Sequence, residues 1–380
     1  MKIAFDAKRA FNNFTGLGNY ARFTINALNK YYPDNELLLY TPTVQEHTES
    51  SAFLRKYNNQ TIFPSGLYAK GILQNVWRSA RIFNDATRQG ANIFHGLSNE
   101  LPSGNALSTK KIVTIHDLIF LRYPHFYPFI DRNIYKRKFK KACLLADKLI
   151  AVSEQTKHDI IEFFSIESDK IVVVYQGVHD NYKVEIGTQR MAHLSNEYGL
   201  HRPYLLYVGS IEERKNALQL VKAFKAFKRL NPTDESLLLI VGKKTKYQQA
   251  VEQEINESKL REDVRILNQV PFGNLPFLYK GAMAAIYPSS TEGFGIPILE
   301  SLHMKTPVLA GNGAAMKEAG ARHALYIEPH DIEQFAEKIN QLVTDKDLTE
   351  KLLTGVDTHL AKFSANKIAS DLMDVYQSVV

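Results

Sequence analysis

The chain has 380 residues, 44% of them apolar and 23% charged, the balance of a globular protein and more length than one ordinary core accommodates. Its net charge of +7 admits nucleic acid, anionic lipid or acidic small molecules as partners, and its single cysteine, Cys143, excludes an internal disulfide framework. No apolar run approaches the ~18 residues of a membrane-spanning helix, and the opening segment MKIAFDAKRA lacks the apolar core of a signal peptide, so a cytoplasmic location is expected.

In chain order, strands are predicted at 2–6 (KIAFD), 36–40 (ELLLY), 91–95 (ANIFH), 111–116 (KIVTIH), 148–152 (KLIAV) and 170–174 (KIVVV). Helical segments lie between most of them. Over 17–31, Leu17, Tyr20, Ala21, Thr24, Ala27, Leu28 and Tyr31 recur at helical spacing. The alternation then restarts, with strands predicted at 204–210, 236–242, 264–267, 284–288, 306–310 and 324–328. Strands alternating with helices predict parallel sheets covered on both faces, with ligands at the carboxyl ends of the strands. Two such series predict two doubly wound α/β domains, at 1–180 and 203–363, joined by a polar linker at 181–202. A last helix is predicted at 364–380, with Ile368, Leu372, Val375 and Tyr376 as an apolar stripe that packs back on the first domain.

The stretch STEGFGIPILES (290–301) follows a predicted strand and places Glu292 and Glu300 on either side of a glycine turn. Pro297 suits a first helical position, because its missing N–H would be unpaired there. The opening N–H groups of a helix, aided by its dipole, make an anion site. Gly293 and Gly295 let the backbone approach closely. Glu300, read as a first-turn carboxylate that only accepts hydrogen bonds, suits a pair of vicinal hydroxyls such as a ribose presents. Glu292 suits the hydroxyls of a second sugar. A glutamate in a first helical turn is also favourable with no ligand at all.

This stretch, with what surrounds it, resembles the Glu-x7-Glu signature of the group 1 (family 4) retaining glycosyltransferases. Segments similar to that family span most of the chain: GLGNYARFTINAL, VTIHDLIFLRYP, LIAVSEQTKHDI, VYQGV, YLLYVGSIEERKN and ILNQVPFGNLPFLYKGAMAAIYPSS. The resemblance implies the GT-B fold, two Rossmann-like doubly wound parallel-sheet domains facing a cleft. It makes Glu300 a ribose ligand and Glu292 a donor-sugar ligand. Phe294, Gly295 and Ile296 become backbone donors to sugar and phosphate, and Val270 a backbone contact to the nucleobase. Lys215 matches the lysine that holds the diphosphate, where a fixed cation stabilises the leaving group. Many relatives carry an arginine at the position of Ser210, and Arg214 is expected to supply that second charge. His116 matches a histidine that contacts the donor sugar, orienting a hydroxyl and helping to stabilise charge, and Asp117 is read as a cap for the next segment. Gly16 and Gly18 match a loop near the diphosphate and acceptor. Relatives there read GIGRY, whereas this chain has Asn19 in place of the arginine.

The resemblance implies transfer of a hexose with retention, from a nucleotide-diphosphate sugar to a growing cell-surface glycan or lipid-linked oligosaccharide. Neither metal nor cofactor is expected, and no nucleic acid. SIEERKN and TIHDLIFLRYP resemble a mannosyltransferase-rich subgroup, which favours GDP-mannose over UDP-linked donors. The alternatives are a nucleotide-sugar 2-epimerase on the same fold and a non-catalytic glycan-binding protein. Asp345 and Asp347 form an Asp-x-Asp pair far from the signature, with Asp347 read as an N-cap and Glu350 as its N3 partner. The segment 131–148 is dense in Arg132, Lys136, Arg137, Lys138, Lys140 and Lys141, with Ile134, Tyr135, Phe139, Cys143 and Leu144 read as its buried side. It suits a solvated helix face or an anionic membrane surface on the inner side of the cell membrane.

Overall fold

The structure is a computed structural model that describes residues 1–183 and 186–380. The chain divides into two compact units, one of Met1–Gly177 with Lys362–Val380, the other of Val178–Ala361.

The first unit is built on strands β1 (Lys2–Asp6), β2 (Glu36–Tyr40), β3 (Thr61–Ile62), β4 (Ile93–Gly96), β5 (Lys110–Ile115), β6 (Lys148–Ala151) and β7 (Ile171–Val173). They form one sheet in the order β3-β2-β1-β4-β5-β6-β7, and every described pairing is parallel. Phe5 lies opposite Leu39 on one side and His95 on the other. Successive residues serve opposite faces: Ile3 and Phe5 pack with the helix Gly16–Tyr31, while Ala4 joins Tyr40, Trp77 and Phe94 on the other side. Burial on both faces is why these strands read as continuous apolar runs.

The second unit carries β8 (Tyr204–Val208), β9 (Leu237–Val241), β10 (Val264–Leu267), β11 (Ala284–Tyr287), β12 (Val308–Gly311) and β13 (Leu325–Ile327). Their order is β10-β9-β8-β11-β12-β13, again parallel. Leu205, Tyr207, Leu238, Ile240 and Ile286 pack against Phe224, Phe227 and Phe335 from the covering helices. In each unit the strand order steps outward from a central strand to both sides, the doubly wound Rossmann-like pattern. Since all strands run one way, all their carboxyl ends share one edge of each sheet.

Every predicted strand is present within a residue or two at most ends. The strand β3 is not among those predicted; it is two residues at the sheet edge, too short to show alternation. The segment 181–202 differs from the polar linker expected. It holds a helix, Thr188–Glu197, within the second unit. Only Leu194 of that helix is buried, so the sequence shows no period; residues 184 and 185 lie outside the described residues. The tail helix is Ala365–Gln377, capped by the Ser364 hydroxyl, which accepts from the Lys367 N–H at 3.3 Å. Ile368, Leu372, Val375 and Tyr376 lie in one cluster with Phe5, Ile25 and Leu28.

Two further expectations are corrected. Asp345, not Asp347, caps the helix Lys346–Leu353, accepting from the Leu348 N–H at 2.9 Å. The basic segment is the helix Phe129–Leu145, but Ile134, Tyr135 and Leu144 are exposed rather than buried. Its buried side is narrower, set by Ala142 and Cys143 with Phe139 half-buried, because the helix touches the sheet mainly near its C-terminal end.

Candidate active site

In the second unit, the site is built from the loops that leave β8 and β11 at the carboxyl edge. Gly242, just past β9, lets the loop after β8 pass close by. A Cβ there would lie 1.7 Å from the Gly209 carbonyl oxygen, far inside contact distance. Asn216 then adopts a left-handed conformation at φ 54° and donates to the Pro288 carbonyl at 2.9 Å and the Ser290 hydroxyl at 2.7 Å. The Ser290 N–H donates to the Arg214 carbonyl at 2.9 Å. These bonds stitch the two loops together and fix where Arg214, Lys215 and Glu292 meet.

They meet on one oxygen. Glu292 Oε1 lies 2.9 Å from Arg214 Nη1 and 3.5 Å from Lys215 Nζ, and accepts from the Ser289 hydroxyl at 2.6 Å. Arg214 also donates to the Thr291 carbonyl at 3.2 Å and pairs with Glu212 at 3.5 Å. Lys215 lies over the Tyr287 ring at 5.6 Å. Burial alone would raise the Glu292 pKa. Lys215 and Arg214 outweigh it and hold the carboxyl down to about 2. Glu292 is therefore ionised at any physiological pH, and it already holds both cations.

Glu300 sits differently. The helix is Ile296–His303, so Pro297 is its second residue rather than its first, and Glu300 lies in its second turn rather than its first. Gly295 precedes the helix at φ 140°, a conformation that favours glycine. Glu300 is buried and accepts from the Tyr279 hydroxyl at 3.0 Å. Tyr182 is buried beside the same carboxyl, and its pKa is raised by burial and by Glu300. Burial drives the Glu300 pKa up to about 7, against the pull of Tyr279 and Lys215. Near neutrality the group is thus divided between acid and carboxylate, not the acceptor-only group expected. Lys215 acts on both carboxyls, which ties Glu292 and Glu300 into one cluster.

The remaining expected positions lie around this cluster. Ser210 is in the loop after β8, where its carbonyl accepts from the Tyr207 hydroxyl at 3.0 Å. Phe294 is buried, Ile296 opens the helix, and Val270 follows β10 on the same carboxyl edge.

In the first unit, His116 follows β5 at the carboxyl edge and is buried. Its Nε2 is 2.9 Å from the Leu97 carbonyl, so Nε2 carries the proton and Nδ1 the lone pair, 3.4 Å from the Gln176 amide. Its backbone N–H donates to Asn99 at 2.7 Å. Burial lowers its pKa to about 4, with the charge of Arg9 adding to that effect. His116 is therefore neutral, able to orient a hydroxyl but not to stabilise charge as a cation. Asp117 accepts from the Ile119 N–H at 3.2 Å.

Gly16 and Gly18 lie in the first turn of the helix Gly16–Tyr31 rather than in a loop before it, and they are not equivalent. A Cβ at Gly18 would lie 1.7 Å from the Asn13 carbonyl oxygen, whereas Gly16 has open space around it. Asn19 turns inward, accepting at 2.6 Å from the buried Arg22, which also pairs with Glu49 at 2.8 Å. Sequence reasoning missed Gln176 and Arg9 beside His116. Gln176 stands inside the VYQGV segment and had a signal; Arg9, in the short helix Lys8–Asn12, had none. Among the described residues, one acidic cluster has metal-ligand spacing, His158, Asp159 and Glu162, and the Arg122 guanidinium already occupies it.

Comparison with known proteins agrees with the two-unit fold. Residues 14–182 match the family model for Glycosyltransferase Family 4, and residues 194–354 match that for Glycosyl transferases group 1. The chain is 26% identical over 397 aligned positions to O-antigen chain mannosyltransferase B of Escherichia coli, covering 99% of this chain and 100% of that protein. It is 27% identical over 238 positions to O-antigen chain mannosyltransferase RfbU of Salmonella typhimurium, covering 62% of each. Its fold is shared with Anabaena HepE, solved with UDP and glucose, at a TM-score of 0.76 and 15% identity over the whole of both chains. Two Rossmann-like units, a cation pair seated on the first glutamate of a Glu-x7-Glu segment, and these matches place the chain in the group 1, family 4 glycosyltransferases of the GT-B fold.

Proposed function

We propose that this glycosyltransferase moves a mannosyl group, with retention and without a metal, from GDP-mannose to a growing cell-surface glycan or lipid-linked oligosaccharide. The observation that carries the site assignment is the seating of Arg214 and Lys215 on Glu292. A nucleotide diphosphate brings a stronger anion to the same two cations. Glu292 is then released toward the donor-sugar hydroxyls, and Glu300, in the second turn of the helix that follows it, accepts from the ribose. As the glycosidic bond breaks, Lys215 and Arg214 stabilise the negative charge that develops on the departing phosphate. The acceptor hydroxyl attacks from the leaving-group side and gives its proton to that phosphate, so no separate nucleophile and base are required. Neutral His116, through Nδ1, orients a sugar hydroxyl. The O-antigen mannosyltransferases among the relatives support mannose as the sugar and a surface glycan as the product.

The test is a thermal-shift panel with GDP, UDP, dTDP and ADP, each with and without EDTA, followed by NMR of the anomeric proton in the product. A nucleotide at a hundred times its dissociation constant adds about 2.7 kcal/mol to the native state. A shift with GDP that survives EDTA, and an α-linked product from an α-linked donor, are expected. A shift that vanishes in EDTA, or an inverted product, overturns the metal-free retaining scheme.

A second reading concerns location at the inner face of the cell membrane. No helix among the described residues is long and apolar enough to cross a membrane. The helix Phe129–Leu145 nevertheless exposes Phe129 and Ile130 at 70% and 71%, next to its run of lysines and arginines. Apolar tips beside cations suit shallow insertion among anionic headgroups. Flotation with phosphatidylglycerol vesicles, lost in 0.5 M salt or with Phe129→Ser and Ile130→Ser, is the expected result; flotation unchanged by either treatment rejects it.

A further inference from the structure

Four buried side chains from four elements of the first unit join in one hydrogen-bonded chain. Tyr376 comes from the tail helix, His95 from β4, Thr114 from β5 and Tyr20 from the helix Gly16–Tyr31. The Tyr376 hydroxyl lies 2.7 Å from His95 Nδ1, and His95 Nε2 lies 2.9 Å from the Thr114 hydroxyl. That hydroxyl lies 2.9 Å from the Tyr20 hydroxyl. All four residues are at most 5% exposed. The chain ends against His116: the Tyr20 ring stands at 88° to the imidazole, with 4.6 Å between centroids.

Burial keeps His95 neutral, its pKa lowered to about 3. A neutral imidazole has one donor and one acceptor nitrogen, so it satisfies Tyr376 and Thr114 together in either tautomer. Apolar side chains of similar volume would fill this core without the cost of burying polar groups. What the polar chain adds is direction. It anchors the hydroxyl end of Tyr20 and so fixes where the ring sits, and that ring is the wall against which the His116 imidazole rests. Tyr20 also lies two residues beyond Gly18 in the same helix, so the same bonds hold the opening turns that carry both glycines.

We propose that Tyr376 is a positioning residue for transfer, acting on His116 through His95, Thr114 and Tyr20. This rests on the reading of His116 as a contact to the donor sugar. It gives the C-terminal helix a part in setting the geometry at the carboxyl edge of the first sheet.

The test is a double-mutant cycle in the full chain, combining Tyr376→Phe with His116→Ala. Tyr376→Phe keeps the ring and removes only the hydroxyl. It is expected to lower kcat about fivefold and to have no further effect once His116 is alanine. Equal losses in both backgrounds, or no loss with His116 present, overturn the proposal. A second readout needs no turnover: the ring protons of His116, shifted by the adjacent Tyr20 ring, are followed by NMR in wild type, Tyr376→Phe, Thr114→Val and Thr114→Ser. Movement in the first two variants and return toward wild type in Thr114→Ser is expected; unmoved resonances overturn the proposal even if Tyr376→Phe is less active. Should His116→Ala turn over at the wild-type rate, the reading of His116 falls, and the resonances still decide whether the chain positions it.

Discussion

In the second unit the candidate residues carry full charges: Arg214 and Lys215 converge on Glu292, which they hold ionised at a pKa of about 2. In the first unit, at the equivalent edge of a similar sheet, His116 is held neutral by burial and bonded to a carbonyl and an amide. The difference teaches that one edge carries paired charges and the other a neutral ring, which under the proposed function suits the one to a diphosphate and the other to hydroxyls. A diphosphate demands fixed cations, which are less costly to bury when a resident carboxylate already compensates them. A sugar hydroxyl demands an oriented donor or acceptor, and a neutral ring with its tautomer fixed supplies one.

The largest effect that can break this comparison is expected at Lys215. Lys215→Ala should lower kcat about 10²–10³-fold with the fold intact, checked by steady-state rates and circular dichroism. Wild-type turnover would remove the lysine from the site. Next is Arg214→Ala, which leaves Lys215 in place; a loss of about tenfold to a hundredfold is expected, and salt should deepen it by screening the remaining cation.

Glu300 sharpens the comparison through pH. Its carboxyl titrates near 7 in the folded chain and near 4.5 when unfolded. Between those values the folded state binds the extra proton, so stability falls as pH rises from 4.5 to 7. Glu300→Gln removes that penalty. Its melting temperature relative to wild type should therefore be higher at pH 8 than at pH 5, and a difference that does not change with pH contradicts the placement. Wild-type nucleotide affinity should also rise between pH 6 and 8, as the carboxyl becomes a full acceptor for the ribose, and Glu300→Gln should lose that rise. The smallest effect is at His116. With a pKa of about 4 it contributes no titration to kcat between pH 5.5 and 8. A limb in that range that disappears in His116→Asn would show the ring to be charged after all.

Most of the fold was legible because a parallel strand buried on both faces leaves an unbroken apolar run, as LLLIV in β9 shows. The strand β3 and the helix Thr188–Glu197 were not, since each gives the core too few residues to leave a period. The members of the site were legible as a motif, but not their state. That Glu292 occupies both cations depends on Asn216 stitching residues 214–216 to 288–290, a contact across about seventy positions that no local pattern records. The proton on Glu300 and the neutrality of His116 both depend on burial, which outweighs the hydroxyls of Tyr279 and Tyr182 at the one and the Leu97 carbonyl at the other. The exposed apolar tips of the basic helix depend on where its contact with the sheet ends.

The central claim is that Glu292 occupies the cations that the donor's diphosphate takes over. The most direct test is calorimetric titration of GDP into wild type and Glu292→Gln at one pH and salt concentration. The account predicts that Glu292→Gln binds GDP at least as tightly as wild type, because the resident anion is gone, while transfer of the sugar is lost. Weaker GDP binding in Glu292→Gln would contradict it, and would make Glu292 a support for the nucleotide rather than its stand-in.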